Sequence, residues 1–160
     1  MRSLGPILLF ILACGGGPEA DGAQAYVSAM QPTLQTNASL AQRFLTDASK
    51  VKKKETDGGQ LAQSLAQELA PEAESLSRAV QGIDPADPKL KDTHAILVKA
   101  WQDRADAYDG MRDAWTRGDL TAWDLAQKKN TQSKLDEERY FAEVNAYLAP
   151  YELSLDQYPQ

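Results

Sequence analysis

The stretch that decides the fold is DPKLKDTHAILVKAWQDRADAYDGMRDAWTRGD, residues 87–119. Large side chains recur along it every three or four residues, which is the spacing of one face of an α-helix. Asp87 and Pro88 suit the N-cap and the first helical position, and Gly118 suits the end. The stretch therefore predicts one long amphipathic helix. Its inward face comprises Leu90, His94, Leu97, Trp101, Arg104, Tyr108, Met111 and Trp115.

A second long helix is expected directly after this one. Asp119 is its predicted N-cap, and it should continue to about Leu148, before Pro150. The turn between the two helices is short, so they are expected to lie side by side. The inward face of the second helix comprises Trp123, Ala126, Asn130, Ser133, Glu137, Tyr140 or Phe141, Val144 and Leu148.

Two further amphipathic segments precede residue 87. The first is expected from about residue 23 to 54, with a kink or a later start at Pro32. The second is expected from about residue 60 to 81, with a kink at Pro71. Four such helices with short connections predict an all-α fold, an antiparallel up-down four-helix bundle over residues 23–149. Residues 150–160 form an apolar-polar tail that could pack over one end.

The beginning of the chain has a different character. Residues 4–13 are almost entirely apolar, follow the positive charge of Arg2, and end at Cys14, the single cysteine among 160 residues. Ten residues at ~1.5 Å each reach about half of a ~30 Å bilayer core, so this segment is too short to span a membrane. A short positive start and a short apolar run are typical of a secretory signal peptide.

The motif Ile11-Leu12-Ala13-Cys14 resembles the lipobox of bacterial lipoproteins. The resemblance implies cleavage before Cys14, so that residues 1–13 are the signal peptide, and acylation of the Cys14 thiol and the new amine. The alternative is a secreted protein with an incidental cysteine. Gly15 after the cysteine implies the outer membrane by the enterobacterial sorting rule, and we expect the periplasmic face. Residues 14–22 are glycine-rich and are expected to form a flexible tether.

In size, lipobox and acidic helical body, the chain also resembles small lipoproteins of the myxobacterial envelope and gliding-motility machinery. This resemblance implies a component of a trans-envelope motility complex. It carries no diagnostic motif, so it implies no particular binding residues.

Composition and motifs exclude several classes of function. The net charge is −6, which disfavours nucleic acid as a partner. One cysteine and one histidine exclude a disulfide framework and a multi-histidine metal site. The chain carries no phosphate-binding loop, nucleophile elbow or zinc-binding His-Glu motif. We therefore expect no enzymatic activity and no cofactor apart from covalent lipid on Cys14.

Polar residues on the inward faces are the first candidate site. Asn37, Arg104, Ser133 and Glu137 lie at similar depths when counted from the loops, so they could share one layer of the core. A buried arginine and a buried glutamate must pair, and we predict a pair between Arg104 and Glu137. The layer could be a ligand or cation site, or a salt bridge that fixes the helix register. One carboxylate without a histidine favours the salt bridge.

Aromatic residues are the second candidate site. Trp101, Tyr108, Trp115 and Trp123 recur at helical spacing and could line a pocket, although a packed core is the favoured interpretation. His94 is expected to be a core histidine with its hydrogen bonds satisfied, because the haem and di-iron motifs of helical bundles are missing. A row of acids is expected to form a solvated face: Asp103, Asp106, Asp109 and Asp113.

These features favour a membrane-anchored lipoprotein that acts as a non-enzymatic subunit or adaptor of an envelope complex. Anchoring concentrates a small helical module where envelope proteins assemble. The alternatives are a small-ligand or metal carrier that uses the bundle core, and an envelope immunity or inhibitor protein. An exposed apolar patch larger than a few hundred Å² would support an adaptor, and an internal pocket of roughly 300 Å³ or more lined by the aromatic residues would support a carrier. A structure with neither would weaken both interpretations.

Overall fold

The computed structural model describes residues 17–156, which form a bundle of four long helices. Helix α1 is Pro18–Lys52, helix α3 is Pro88–Arg117 and helix α4 is Leu120–Leu148. Helix α2 covers residues 58–81 in three parts, which are Gly58–Ser64, a π-helical turn at Leu65–Leu69, and Ala70–Gln81. The predicted all-α helical bundle is confirmed. The predicted signal peptide, residues 1–13, and Cys14 lie outside the described residues.

The caps of α3 and α4 are those that the sequence predicts. The Asp87 carboxylate accepts a hydrogen bond from the Leu90 backbone N–H at 2.9 Å, and Pro88 follows in the first turn. Gly118 ends α3 in the left-handed region with φ of 65°, where a residue without a Cβ is unstrained. Asp119 then caps α4 by accepting from the Ala122 N–H.

Helix α1 begins earlier than predicted. Residues 18–22 are its first turn, so the expected flexible tether is wrong for that segment. Pro18 fits a first turn because its missing N–H would have no helical partner, and Glu19 and Asp21 favour the positive end of the helix dipole. The helix continues through Pro32, so the later start considered there is also wrong. It ends at Lys52 rather than at Lys54.

The π-helical turn in α2 lies immediately before Pro71. Proline has no N–H to donate, and its ring collides with the carbonyl four residues earlier in a regular helix. Here the Ala70 N–H donates to the Leu65 carbonyl, five residues back, which widens the helix just ahead of the proline. The apolar face stays in phase across the interruption, since Leu65, Leu69 and Ala73 are all buried.

Hydrogen bonds and ion pairs between neighbouring helices fix the register of the bundle. Arg43 and Asp47 on α1 contact Glu68 and Ser64 on α2, so partner numbers fall along one helix as they rise along the other. The same reversal relates α3 to α4, where Asp106 pairs with Lys129 and Arg104 pairs with Glu137. Two of the three connections, residues 53–57 and 118–119, therefore lie at one end of the bundle, and the third, residues 82–87, lies at the other.

The two ends differ in composition. We call the end formed by residues 53–58 and 115–123 the distal end, because Trp115 packs there against Gly58. We call the other end proximal, because it carries the first turn of α1. There the Tyr151 hydroxyl donates to the Glu19 carboxylate. Helix α1 has 35 residues, which corresponds to a length of roughly 50 Å between the ends.

The C-terminal tail returns onto α4 at the proximal end. The Asn145 side chain donates to the Leu155 carbonyl and accepts from the Leu155 N–H, at 3.0 and 2.8 Å. The Leu155 side chain is buried as a result. None of the helices in residues 17–156 combines the length and hydropathy that crossing a bilayer requires.

Candidate functional site

The centre of the bundle holds a closed polar cluster, consisting of Asn37, Trp101, Arg104 and Glu137. The Arg104 guanidinium donates to the Asn37 side-chain oxygen and to Glu137 Oε2. The Asn37 amide and the Trp101 indole N–H both donate to Glu137 Oε1, each at 2.9 Å. All four side chains are buried. The cluster thus joins α1, α3 and α4 in one layer, and the predicted pair between Arg104 and Glu137 is present.

Each charge in this cluster is neutralised by the chain itself. The Glu137 carboxylate accepts three hydrogen bonds and faces one guanidinium, so the desolvation of both charges is offset internally. A catalytic or ligand-binding group needs a free hydrogen-bond donor or acceptor directed at its substrate. The donors and acceptors of this cluster are directed at one another. The arrangement supports a structural role in fixing the register of three helices.

The polar cluster differs from the predicted polar layer at two residues, Ser133 and Trp101. Ser133 is buried, but its hydroxyl donates to the Asn130 carbonyl of its own helix at 2.9 Å and takes no part in the cluster. Trp101 was assigned to the aromatic set, yet its N–H completes the shell of Glu137. The sequence analysis missed this role, although the position of Trp101 three residues before Arg104 on the same inward face could have indicated it.

A second buried network, which the sequence did not reveal, lies between the cluster and the proximal end. The Tyr26 hydroxyl lies 2.8 Å from His94 Nδ1 and 2.7 Å from the Tyr140 hydroxyl. His94 Nε2 lies 3.0 Å from the Val80 carbonyl oxygen. These contacts connect all four helices. His94 is the satisfied core histidine that its position on the apolar face indicates.

The chemistry of the Val80 carbonyl fixes the direction of every bond in this network. A carbonyl only accepts, so His94 Nε2 carries the hydrogen and Nδ1 accepts from Tyr26. The Tyr26 hydroxyl has then used its hydrogen and accepts from Tyr140. Burial lowers the pKa of His94, against smaller opposing effects of the Val80 bond and Asp84, and it raises the pKa of both tyrosine hydroxyls. The network is therefore neutral.

The four candidate aromatic residues do not form one pocket. Trp101 and Tyr108 are buried in the core, where Tyr108 stacks on Phe44 with ring centroids 4.8 Å apart. Trp115 and Trp123 meet edge to face at the distal end, with centroids 6.0 Å apart. The four residues are separated because the aromatic residues of α3 extend over more than three helical turns. Trp101 therefore lies at the centre of the bundle and Trp115 at its end.

The distal end exposes an apolar patch, which we define as Trp115, Leu120 and Trp123. Leu120 is 76% exposed, Trp115 is 45% exposed and Trp123 is half-buried. A cleft of about 190 Å³ at this end is lined by these three residues together with Ala114, Gly118 and Asp119. Trp115 is held from behind by α2, where a Cβ at Gly58 would approach its ring to 2.3 Å.

Larger clefts lie elsewhere on the surface, and two of them exceed 600 Å³. One, of about 630 Å³, follows α1 and α2 and is lined mainly by polar side chains such as Arg43, Lys50 and Gln63. The other, of about 680 Å³, lies at the proximal end between the first turn of α1, the loop after α2, and Tyr147. Neither is lined by the candidate aromatic residues, so neither is the pocket that a core ligand carrier was expected to have.

The acidic row on α3 is a solvated face whose charges are largely paired. Asp103 and Asp106 contact Lys129 of α4, and Asp109 and Asp113 contact Arg112. Within residues 17–156, no three His, Cys, Asp or Glu side chains are grouped so that they could hold a metal ion.

We compared the chain with protein-family models, with curated proteins and with solved structures, and none of the three comparisons gave a match.

Proposed function

We propose that this protein is a membrane-anchored bacterial lipoprotein that acts as a non-enzymatic adaptor or subunit of an envelope complex. The lipobox ending at Cys14 supports the anchor. The exposed apolar patch of Trp115, Leu120 and Trp123 supports the adaptor and is the single observation that carries it. Scattered exposed leucines are ordinary on a protein surface, but two indoles and a leucine grouped around a cleft are typical of a binding site.

The position of the patch fits a tethered adaptor. Cys14 precedes Pro18 by four residues in the sequence, and Pro18 begins α1 at the proximal end of the bundle. The patch lies at the distal end, roughly 50 Å away along α1. A lipid anchor at one end and an apolar contact surface at the other would present that surface away from the membrane to proteins of the same compartment.

The interior argues against the carrier that uses the bundle core. The interior holds two buried polar networks, one around Glu137 and one around His94. Their hydrogen-bonding groups are satisfied by the chain's own side chains and backbone. A ligand in the core would have to displace these bonds and leave buried groups unpaired, which costs about 1–3 kcal/mol for each neutral group.

The experiment that tests the proposal is affinity purification of the C-terminally tagged chain from native membranes after mild crosslinking, with mass spectrometry of the captured proteins. Cys14→Ala is the unanchored control. We expect a reproducible set of envelope proteins that is lost in the control. Recovery of the lipidated chain by itself would contradict an adaptor and support a carrier.

The identity of the captured proteins separates the remaining alternatives. Structural proteins of a trans-envelope machine would support the gliding-motility role that the myxobacterial resemblance implies. A single toxin or enzyme bound in equimolar amount would instead support the immunity or inhibitor protein.

A further inference from the structure

We propose that the proximal cleft binds one acyl chain of the lipidated Cys14, so that the lipid anchor contacts the bundle directly. The proximal cleft is the one of about 680 Å³ that is lined by the first turns of α1, by residues 82–88 and by Tyr147. This ligand exists only if the proposed lipidation of Cys14 is correct. The composition of the cleft, its length and its distance from Cys14 along the chain all favour an acyl chain.

The lining of the cleft is mainly apolar. Four exposed residues of α1 line it at intervals of three or four residues, and none has a side chain larger than that of proline: Pro18, Gly22, Ala25 and Ala29. The loop after α2 supplies more apolar groups, namely Ile83, Pro85, Ala86 and Pro88. Tyr26 also lines the cleft, and its hydroxyl is already bonded to His94 and Tyr140 in the core. A cleft of this volume is within the range of about 300–1,000 Å³ that is usual for small-molecule sites.

The three acids that line the cleft have partners within the chain. Asp84 pairs with Lys91, and Asp87 accepts a backbone N–H of the first turn as the N-cap of α3. Glu19 accepts a hydrogen bond from the Tyr151 hydroxyl. None of the described residues that line the cleft is basic. An uncharged, apolar ligand therefore suits this site better than an anion does.

The length of the cleft matches an acyl chain that starts at Cys14. Its α1 side extends from Pro18 to Ala29, and a helix of eleven residues is roughly 16 Å long. An acyl chain in a bilayer extends over half of the ~30 Å hydrocarbon core, which is a similar length. Cys14 precedes Pro18 by four residues, which span at most about 14 Å. An acyl chain on Cys14 can therefore enter the cleft at the end that Pro18 lines.

Occupation of the cleft is favourable because its lining loses contact with water. The acyl chain itself exchanges one apolar environment, the bilayer, for another, so its own transfer contributes little. The exposed apolar groups of the cleft are removed from water by the same transfer. The lipobox resemblance implies two acyl chains on the thiol and one on the amine of Cys14, and two chains are enough for stable anchoring. One chain can therefore occupy the cleft while the protein stays in the membrane.

A free phospholipid of the bilayer fits the cleft less well. Its phosphate would lie near Glu19, Asp84 and Asp87, without a basic side chain among the described lining residues to neutralise it. A chain attached to Cys14 also has a high effective concentration at the cleft, because only four residues separate its point of attachment from Pro18.

The test is photocrosslinking of the full, lipidated chain. Cells that express the C-terminally tagged protein grow with a diazirine-bearing analogue of palmitic acid, and their membranes are irradiated before purification and digestion with trypsin. Cys14 lies in the tryptic fragment 14–43 of the processed chain, and the loop after α2 lies in the fragment 79–89. We expect mass spectrometry to find a covalent link between these two fragments. A labelled phospholipid in the cleft would instead add its own mass to fragment 79–89.

Two variants then locate the acyl chain. Ala25→Trp places a large side chain in the cleft, and we expect it to abolish the link between the two fragments. Ala142→Trp is the matched control, because Ala142 is an exposed helical alanine of α4 that does not line the cleft. It should give the same link as the wild type. Circular dichroism checks that both variants are folded.

Three results would overturn the inference while the anchor stands. They are a labelled Cys14 without a link to fragment 79–89, equal links in Ala25→Trp and wild type, and the phospholipid adduct in place of the link. If the phospholipids carry the label and Cys14 does not, the proposed anchor and its acyl ligand are both overturned.

Discussion

Arg104 of α3 and Glu137 of α4 form an ion pair at the centre of the bundle, and both side chains are at most 3% exposed. Asn37 of α1 and Trp101 of α3 occupy the remaining positions around the pair. Buried charges destabilise a protein unless each has its ionic and hydrogen-bond partners. The pair therefore requires one particular alignment of the three helices that supply those partners.

Arg104→Ala is expected to destabilise the protein severely. It leaves Glu137 as a buried, uncompensated charge, which costs about 3–5 kcal/mol. Circular dichroism should show a melting temperature lower by on the order of 10 °C. The matched control replaces both charges, Arg104→Met with Glu137→Leu, and should recover part of the loss, because no charge is left buried although Asn37 and Trp101 lose their partners. An unchanged melting temperature for Arg104→Ala would show that the pair is not formed.

Tyr26→Phe is expected to destabilise more than Tyr140→Phe. The Tyr26 hydroxyl serves two partners, so its removal leaves both His94 Nδ1 and the Tyr140 hydroxyl unpaired in the core. Removing the Tyr140 hydroxyl leaves only one acceptor position empty on Tyr26. We expect about 1 kcal/mol for Tyr140→Phe and about twice that for Tyr26→Phe. Urea unfolding measures both, and the reverse order would contradict the position of the Tyr26 hydroxyl between His94 and Tyr140.

The free energy of unfolding should decrease as the pH is lowered through the range in which His94, the single histidine of the chain, titrates. Burial holds the pKa of folded His94 below the ordinary 6.5, so the unfolded chain takes up the proton first. The stabilising contribution of neutral His94 is therefore complete above the unfolded pKa and is lost as pH falls below it. The check is the difference in unfolding free energy between wild type and His94→Gln, from about pH 7 to about pH 5. A constant difference would mean that His94 titrates normally in the bundle.

Gly58→Ala should displace the Trp115 indole. The added Cβ would lie 2.3 Å from the ring, which is far inside van der Waals contact, and the far end of the ring must move. Tryptophan fluorescence should shift, and the stability should decrease. Gly22→Ala is the matched control, because a Cβ added at this helical position meets nothing within 4 Å. Alanine favours a helix over glycine, so this variant should be more stable by about 0.5–1 kcal/mol. Identical emission in Gly58→Ala and wild type would contradict the packing of Trp115.

The helices and the central ion pair were predictable because local signals and burial agree there. The helix ends are marked by residues whose local chemistry favours an end, namely Asp87, Pro88, Gly118 and Asp119. An arginine and a glutamate on inward faces must pair with each other, because an isolated buried charge is very costly. The first turn of α1 was missed because glycine content suggested a tether. Pro18 and the two acids after it outweigh that composition.

The network around His94 could not be predicted from the sequence. It depends on Tyr26 and Tyr140 facing each other across the bundle and on a backbone carbonyl of α2, and helical periodicity gives no distance between helices. The division of the aromatic set has the same origin. Trp101 and Trp115 share one face of α3, but the bundle surrounds the first and ends at the second.

The most direct test of the central claim is site-specific photocrosslinking in living cells, with a benzophenone amino acid at position 120 or at position 135. Both positions are exposed leucines of α4, but only Leu120 belongs to the distal patch. We expect a crosslink from position 120 to one envelope protein, its loss with Cys14→Ala, and none from position 135. Equal crosslinks from both positions, or none from position 120 in the anchored protein, would contradict a membrane-tethered adaptor that binds through its distal end.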